Sequence, residues 1–440
     1  MGPNQQGKAP AIIMSQYTNK KLVVGIFIDG DFIPSYSGAK NRMHYLSRYL
    51  QKSGIKVIIF HGYRGWIDPK LISEEPFKTY IIPIHRYHGD LRFVSNLVKK
   101  ESVRIIQFCD LESTISQGVT LSQNTGAYLV AELHYIVSSL ARNLGTPLKR
   151  IQTIRELEIF VGKITDHVIC LSTDDRPKLQ KKMLLPANRI SVIPSGVDLE
   201  EIKCTRPNFK TKTVLFLGNL YFEPNADAVR IIHHYLYPLL SRRGFKILIV
   251  GDCPIELKRR FQAINFVFTG PVSNLNDVFC KTTVALAPIR EGTGLRIKIL
   301  NYLAAGLPVI ATSEAVRGIS NTKSIIIEDN FRRYPKIILD LVDNRSYTLR
   351  LGESGRKLVE HNFDWTMIAR QTIKTYKDII ARKFKEKSHF AGLVSSLNIG
   401  KPDWLEEFER KERFRELKSK NLNNFSYGVI NRGKIKIIKL

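Results

Sequence analysis

A chain of 440 residues with 43% hydrophobic and 10% aromatic side chains holds material for more than one buried core, which excludes disorder throughout and points to two domains plus an extension. The formal net charge of +28 invites phosphate-rich partners. No helix-turn-helix, RNA-binding sheet signature or zinc finger accompanies it, so nucleic acid is not an expected partner. The charge is uneven: +9 over residues 1–100, zero over 101–200 and +19 over 201–440. A solvated basic surface accounts for the same counts.

Residues 1–19, opening MGPNQQGKAP, have no basic stretch followed by an apolar one; a disordered leader is expected there rather than a secretory signal. No apolar run approaches the ~18 residues that span a bilayer. Cys109, Cys170, Cys204, Cys253 and Cys280 form no short-spaced pair. That spacing supports neither a zinc site nor a disulfide framework, and the odd count fits a reducing, cytoplasmic location. Cys109 and Cys170, in apolar runs, read as core residues.

In chain order, the continuous apolar run Leu22–Ile28 predicts a strand covered on both faces. A turn-rich loop follows, from Ile33 to Gly38. Met43, Leu46 and Leu50 then recur at helical spacing within 41–51. Further strands are predicted at 56–60, 103–108, 128–133 and 167–171. The polar stretch EIKCTRPNFKTK breaks the series. It restarts at 213–218 and continues at 246–250, 266–269, 284–288, 308–311 and 324–327. Alternating strands and helices in two series predict an α/β protein with two doubly wound parallel-sheet domains facing a cleft, where ligands bind outside the carboxyl ends of the strands. The expected domain bounds are 20–200, a linker 201–212 and a second domain 213–364. A helix at 365–382 returns to the first domain, and 383–440 forms a basic accessory tail. Within that tail Trp404, Leu405 and Phe408 share a helical face, and the closing GKIKIIKL alternates like a strand.

The segment APIREGTGLRIKILNYLAAGLPVIAT, residues 287–312, is a strand end, a glycine loop, a helix start and another strand. Gly292, Thr293 and Gly294 let a ligand approach the backbone as the helix opens at Leu295. The free N–H groups there suit a diphosphate. Lys298, one turn in, adds a point charge. Glu291 is placed to accept hydrogen bonds from sugar hydroxyls, and Asn301 lies at a depth suited to a ribose. An ordinary βα turn capped by glycines fits the bare pattern as well.

This segment resembles the donor-site signature of the group 1 (retaining, GT-B fold) glycosyltransferases, in the form G-x-G-x-x-x-K-x-L-E-A-x-A-x-G-x-P-V. Four further stretches resemble that family in the right order: ITDHVICLSTDD (164–175), RISVIPSGVDLE (189–200), VLFLGNLYFEPNADAV (214–229) and HNFDWTMIARQTIKTYKDII (361–380). The likeness covers residues 20–382. It implies a hexosyltransferase that moves a sugar from a nucleotide-sugar donor to a saccharide, lipid-linked or other acceptor, in polysaccharide or glycoconjugate biosynthesis. It implies that Gly218 approaches the donor diphosphate and that Gly292, Thr293, Gly294 and Leu295 form the phosphate loop. Lys298 and Glu291 then stabilise the leaving group and hold the sugar. Gly38 faces the donor across the cleft, and His134 sits near the donor sugar; a half-buried strand-end histidine is the plainer account of His134.

Two positions depart from the family's pattern. Asn219 follows Gly218 where an Arg and a Lys are common, so Arg290 or Arg296 is expected to supply charge beside Lys298, with Arg230 beyond the loop. Asn301 replaces a ribose-binding Glu. These positions keep open a catalytically silent GT-B partner subunit, besides another GT-B enzyme such as a sugar-nucleotide epimerase. Asp29-Gly30-Asp31 has a metal-pair spacing but lies in the first domain, and neither metal nor cofactor is implied. The +9 balance of residues 1–100, with Lys20, Lys21, Lys40, Arg42 and Arg48, leads to the expectation of peripheral docking on an anionic, cytoplasmic membrane face.

Overall fold

The computed structural model describes residues 22–30, 32–33, 38–63, 69–143, 145–292, 294–319, 321–382, 427–431 and 434–438. The leader, Thr293, Lys20, Lys21, Asp31 and most of the basic tail, including Trp404, Leu405 and Phe408, lie outside them.

The first domain is built on β1 (Val23–Asp29), β2 (Lys56–Tyr63), β3 (Lys78–Pro83), β4 (Ile105–Phe108), β5 (Tyr128–Leu133), β6 (His167–Cys170) and β7 (Ile190–Val192). The second carries β8 (Thr213–Leu217), β9 (Lys246–Val250), β10 (Phe266–Gly270), β11 (Val284–Ala287), β12 (Val309–Ala311) and β13 (Ile326–Ile327). All neighbouring pairs among these strands are parallel. A hairpin from the tail, β14 (Tyr427–Asn431) and β15 (Lys434–Ile438), adds antiparallel to β3. The resulting orders are β15-β14-β3-β2-β1-β4-β5-β6-β7 and β10-β9-β8-β11-β12-β13.

Seven helices position the cleft: α1 (Gly38–Lys52), α2 (Leu148–Ile164), α3 (Asp175–Met183), α4 (Glu223–Ile231), α5 (Asn276–Phe279), α6 (Ile297–Ala304) and α7 (Trp365–Ala381). Helix α7 packs Trp365, Ile368, Ala369, Tyr376 and Ile379 into the core under β1, although it follows the second domain in sequence. Trp365 fits because Gly196 has no side chain: a Cβ there would sit 2.7 Å from the indole. The two domains are therefore tied at the linker and again by the returning helix.

The sequence expectation of no disulfide is corrected. Cys204, in the linker, is bonded to Cys280, immediately after α5, with Cα atoms 5.4 Å apart. The two are separated by 76 residues, so chain spacing gave no hint. They meet because the linker lies against α5, where Asn276 Oδ1 accepts from Lys203 N at 2.8 Å and Asn276 Nδ2 donates to the Glu201 carbonyl at 2.7 Å. Cys170 is buried as expected, while Cys109 is half-buried.

Candidate active site

The loop between β11 and α6 takes a shape that only glycines accept without strain. Gly292 has φ +135° and Gly294 φ +80°. Helix α6 begins at Ile297, two residues later than the sequence suggests, because Arg296 is extended at φ −85°, ψ 91°. Its guanidinium folds back so that Nη1 donates to the Gly294 carbonyl at 2.9 Å. Leu295 is buried beneath the turn, and Glu291 stands exposed ahead of it.

Lys298 projects from the first turn of α6 towards the end of β8. Its Nζ donates to Asn225 Oδ1 at 2.6 Å and lies 4.2 Å from the centre of the Phe216 ring. A Cβ at Gly218 would come within 3.0 Å of that same Nζ, so the absent side chain keeps the lysine head accessible from the strand end. Burial pushes the Lys298 pKa well below its ordinary value, and the neighbouring Arg296 charge adds to the effect. Gly251, at φ +132°, permits a further close approach, since a Cβ there would fall 2.1 Å from the Gly218 carbonyl oxygen. Asn225 is a site residue the sequence reading did not single out; the Pro224-Asn225 pair that opens α4 was its only signal.

The substitutes expected for the missing diphosphate-gripping pair are placed differently. Arg290 turns to Asp227 on α4, donating at 2.8 and 2.5 Å. Arg230 pairs with Glu223 at 2.6 Å. Arg296 braces the glycine loop from within. Asn219 builds its own turn: its side-chain oxygen accepts from Tyr221 N at 2.9 Å and its carbonyl accepts from Asn225 Nδ2 at 2.8 Å. Among the described residues at the head of the loop, Lys298 is the cation whose hydrogen-bond partner is a neutral amide.

From the first domain, His134 meets this loop directly. The His134 carbonyl oxygen is so near Gly294 that a Cβ there would sit 2.6 Å away. The His134 ring is buried, with Nε2 2.6 Å from Glu132 Oε1. Gly38 opens α1 opposite α6, 3.4 Å (from an ideal Cβ) to Ile297 Cδ1. Asp174 adds another bridge across the cleft, its Oδ2 accepting from Gly318 N at 3.1 Å. Gly38, His134, Gly218, Gly294, Lys298 and Asn301 therefore converge, although they lie in two domains; Thr293 is outside the described residues.

Asn301 lines a cavity of about 680 Å³ that runs between the domains. Asn41 and Tyr45 on α1 form one wall, Asp198 and Glu201 the linker side, and Val272 and Ser273 after β10 the far wall. Its apolar and hydrogen-bonding surface, which meets α6 at Ile297 and Asn301, suits a nucleoside attached to a loop-bound diphosphate. The segment after β10 was not foreseen. If Asn301 holds the ribose, Asn301→Leu weakens nucleoside diphosphate binding about tenfold, the scale of one or two lost hydrogen bonds, while Asn301→Glu preserves it. Calorimetry on the three forms checks this; equal affinities would misplace the ribose.

One of the expected membrane-facing basic residues is corrected, and a second is held in ion pairs. Arg42 is 1% exposed and paired with Glu132 at 2.7 Å, because α1 turns that position onto β5. Arg48 pairs with Glu75 at 2.7 Å and Glu201 at 3.2 Å. Asp29, the described member of the Asp29-Gly30-Asp31 trio, contacts His88 Nε2 at 3.1 Å.

Two parallel-sheet domains closing on a glycine loop and a lysine define a GT-B architecture, and solved structures share it. A glycosyltransferase from Rickettsia africae superposes with a TM-score of 0.65 at 16% identity, covering 82% of this chain and 99% of that one. Anabaena HepE in complex with UDP and glucose gives 0.63 at 13% identity, covering 81% and 99%. The family models for Glycosyltransferase Family 4 and for Glycosyl transferases group 1 match residues 36–201 and 211–344. The chain belongs to the group 1 glycosyltransferases. Among curated relatives, the phosphatidylinositol N-acetylglucosaminyltransferase GPI3 subunit of Saccharomyces cerevisiae is 22% identical over 403 residues, covering 83% of this chain and 85% of that protein. The UDP-Gal:alpha-D-GlcNAc-diphosphoundecaprenol alpha-1,3-galactosyltransferase of Escherichia coli is 28% identical over 180 residues, covering 36% and 45%.

Proposed function

We propose that this glycosyltransferase is a retaining enzyme that takes its sugar from a nucleotide-sugar donor held by the second domain. The observation that carries the reading is the convergence of Lys298 Nζ, Gly218 and the positive-φ glycines at the head of α6, opposite His134. The diphosphate lies against the loop amides and the lysine, the nucleoside fills the cavity to Asn301, and the sugar sits between Glu291 and His134. Leaving-group charge grows as the glycosidic bond breaks, and Lys298 and the amides stabilise it. No protein nucleophile is invoked: the acceptor attacks on the face the diphosphate leaves, and the departing phosphate takes its proton. Positioning and electrostatics then supply the catalysis. Incubation with a panel of labelled nucleotide sugars tests this: slow hydrolysis of one donor supports it, and a protein inert towards all of them while binding none is a silent subunit instead.

We also propose that the acceptor is lipid-linked and is met at an anionic membrane face. Two relatives are named for lipid acceptors. The docking surface this structure favours is not the one around α1 but the outer side of α2 and α3. There Lys149, Arg150, Arg155, Lys178 and Lys181 are exposed, with Leu148 at 79% and Leu184 at 70% exposure. Each basic group near such a surface contributes about 1 kcal/mol, so reversing Lys149, Arg150 and Lys181 to Glu lowers co-sedimentation with phosphatidylserine vesicles at least about tenfold at low salt. Wild-type protein that stays in the supernatant under those conditions ends this part of the proposal.

A further inference from the structure

Beneath His134 lies a closed set of buried polar groups that the donor site does not by itself require. Glu132, on β5, is fully buried. Its Oε1 accepts from Arg42 Nε at 2.7 Å and contacts His134 Nε2 at 2.6 Å. Its Oε2 accepts from Arg42 Nη2 at 3.2 Å and from Gln107 Nε2 at 3.0 Å. Gln107 Oε1 accepts in turn from the Tyr376 hydroxyl at 2.5 Å, so the set is anchored in α7. Arg42 Nη1 is taken by the Pro194 carbonyl at 2.5 Å.

Burial alone would raise the Glu132 pKa, but the Arg42 guanidinium and His134 hold it down to about 2. The carboxyl is therefore ionised near neutral pH and can then only accept hydrogen bonds. With Arg42 Nε already donating to the same oxygen, His134 Nε2 must carry its proton, and in the neutral ring the lone pair falls on Nδ1. That Nδ1 is buried and has no hydrogen-bond partner among the described residues. The same residue abuts the glycine loop through its carbonyl. An unpartnered buried ring nitrogen costs free energy unless something satisfies it.

We propose that Glu132, fixed by Arg42 and Gln107, is a positioning residue that locks His134 in the Nε2–H tautomer, so that Nδ1 accepts a hydrogen bond from a hydroxyl of the donor sugar. The inference rests on the nucleotide-sugar reading for the identity of the ligand, but not for the tautomer. Glu132→Gln disturbs the lock, because its amide nitrogen meets either Arg42 Nε and His134 Nε2 or Arg42 Nη2 and Gln107 Nε2. In the first orientation it donates to His134 Nε2 and drives the ring proton to Nδ1.

The test has two arms on the full-length protein. Long-range proton–nitrogen correlation on isotope-labelled histidine, with the signal identified by its loss in His134→Asn, reads the tautomer of the wild type. A proton on Nε2 alone is expected, and a ring protonated on Nδ1, whether neutral or doubly protonated, overturns the proposal without reference to any sugar. In the second arm, calorimetry compares UDP-N-acetylglucosamine with UDP. Glu132→Gln should weaken the nucleotide sugar about tenfold, the scale of one hydrogen bond, and leave UDP unchanged. A merely structural glutamate would weaken both together, and that result also overturns the proposal. Wild-type protein that binds neither ligand counts against the donor reading, and the tautomer arm then decides by itself.

Discussion

Lys298→Ala should lower transfer, or donor hydrolysis, by about 100-fold or more, the scale expected when one stabiliser of transition-state charge is removed. Arg290 and Arg230 are held by Asp227 and Glu223, and Arg296 is engaged with the loop it braces. Among the described residues these three arginines are thus engaged elsewhere. The loss should appear in kcat at least as much as in KM, because the diphosphate gains charge as it leaves. Folding should survive the change. Lys298 carries a charge that burial disfavours, and Asn225 keeps its bond to the Asn219 carbonyl. Unchanged turnover with intact nucleotide binding would remove Lys298 from the site.

The depressed Lys298 pKa adds a pH signature with a definite sign. In the free protein burial and Arg296 favour the neutral amine; a bound diphosphate favours the ammonium. Above the free-state pKa of Lys298 nucleotide binding should therefore take up a proton, and affinity should fall as pH rises through that pKa. Calorimetry in buffers of different ionisation enthalpy measures that uptake, which should vanish in Lys298→Ala.

How far such a site can be read from the chain depends on the range of the interactions that build it. The glycine loop, Lys298 and Asn301 lie within one stretch of ten residues, and their roles follow from a strand end meeting a helix start. The apolar runs at β1, β8 and β9 mark strands covered on both faces, which is why the two series were legible. The short run Lys78–Pro83 gave no comparable signal, yet it forms β3 and receives the tail hairpin. Arg42 and Glu132 are ninety residues apart, and nothing in the chain pattern links them. Only the packing of α1 on β5 makes them a buried pair, and only then does the supposed membrane-facing arginine become part of the His134 support. Cys204 and Cys280 illustrate the same limit.

The other large effect is expected at Gly294, through geometry rather than charge. Gly294→Ala asks an L-residue to hold φ +80°, which costs roughly 1–2 kcal/mol, and places its Cβ 2.6 Å from the His134 carbonyl oxygen. That neighbour is backbone at the end of β5 and cannot rotate away, so the loop and the first domain must separate. A displacement near 1 Å between a bound donor and its partners can cost about 100-fold in rate, and a loss of that order is expected here. The nucleoside cavity wall formed by Val272, Ser273 and Asn301 belongs to the second domain and keeps its shape, so affinity for the nucleoside diphosphate should change only a few-fold. Gly292→Ala is the internal control. At φ +135° it strains the loop at least as much, but its nearest contact is Arg296 Nη2 at 2.5 Å, inside the second domain, so any loss it brings does not come from the approach of the first domain. Comparing turnover and nucleotide affinity for the two variants separates loop strain, which both carry, from domain contact, which only Gly294 makes; a Gly294→Ala protein that loses nucleotide affinity as far as it loses turnover would mean that the approach of His134 to the loop has no part in catalysis.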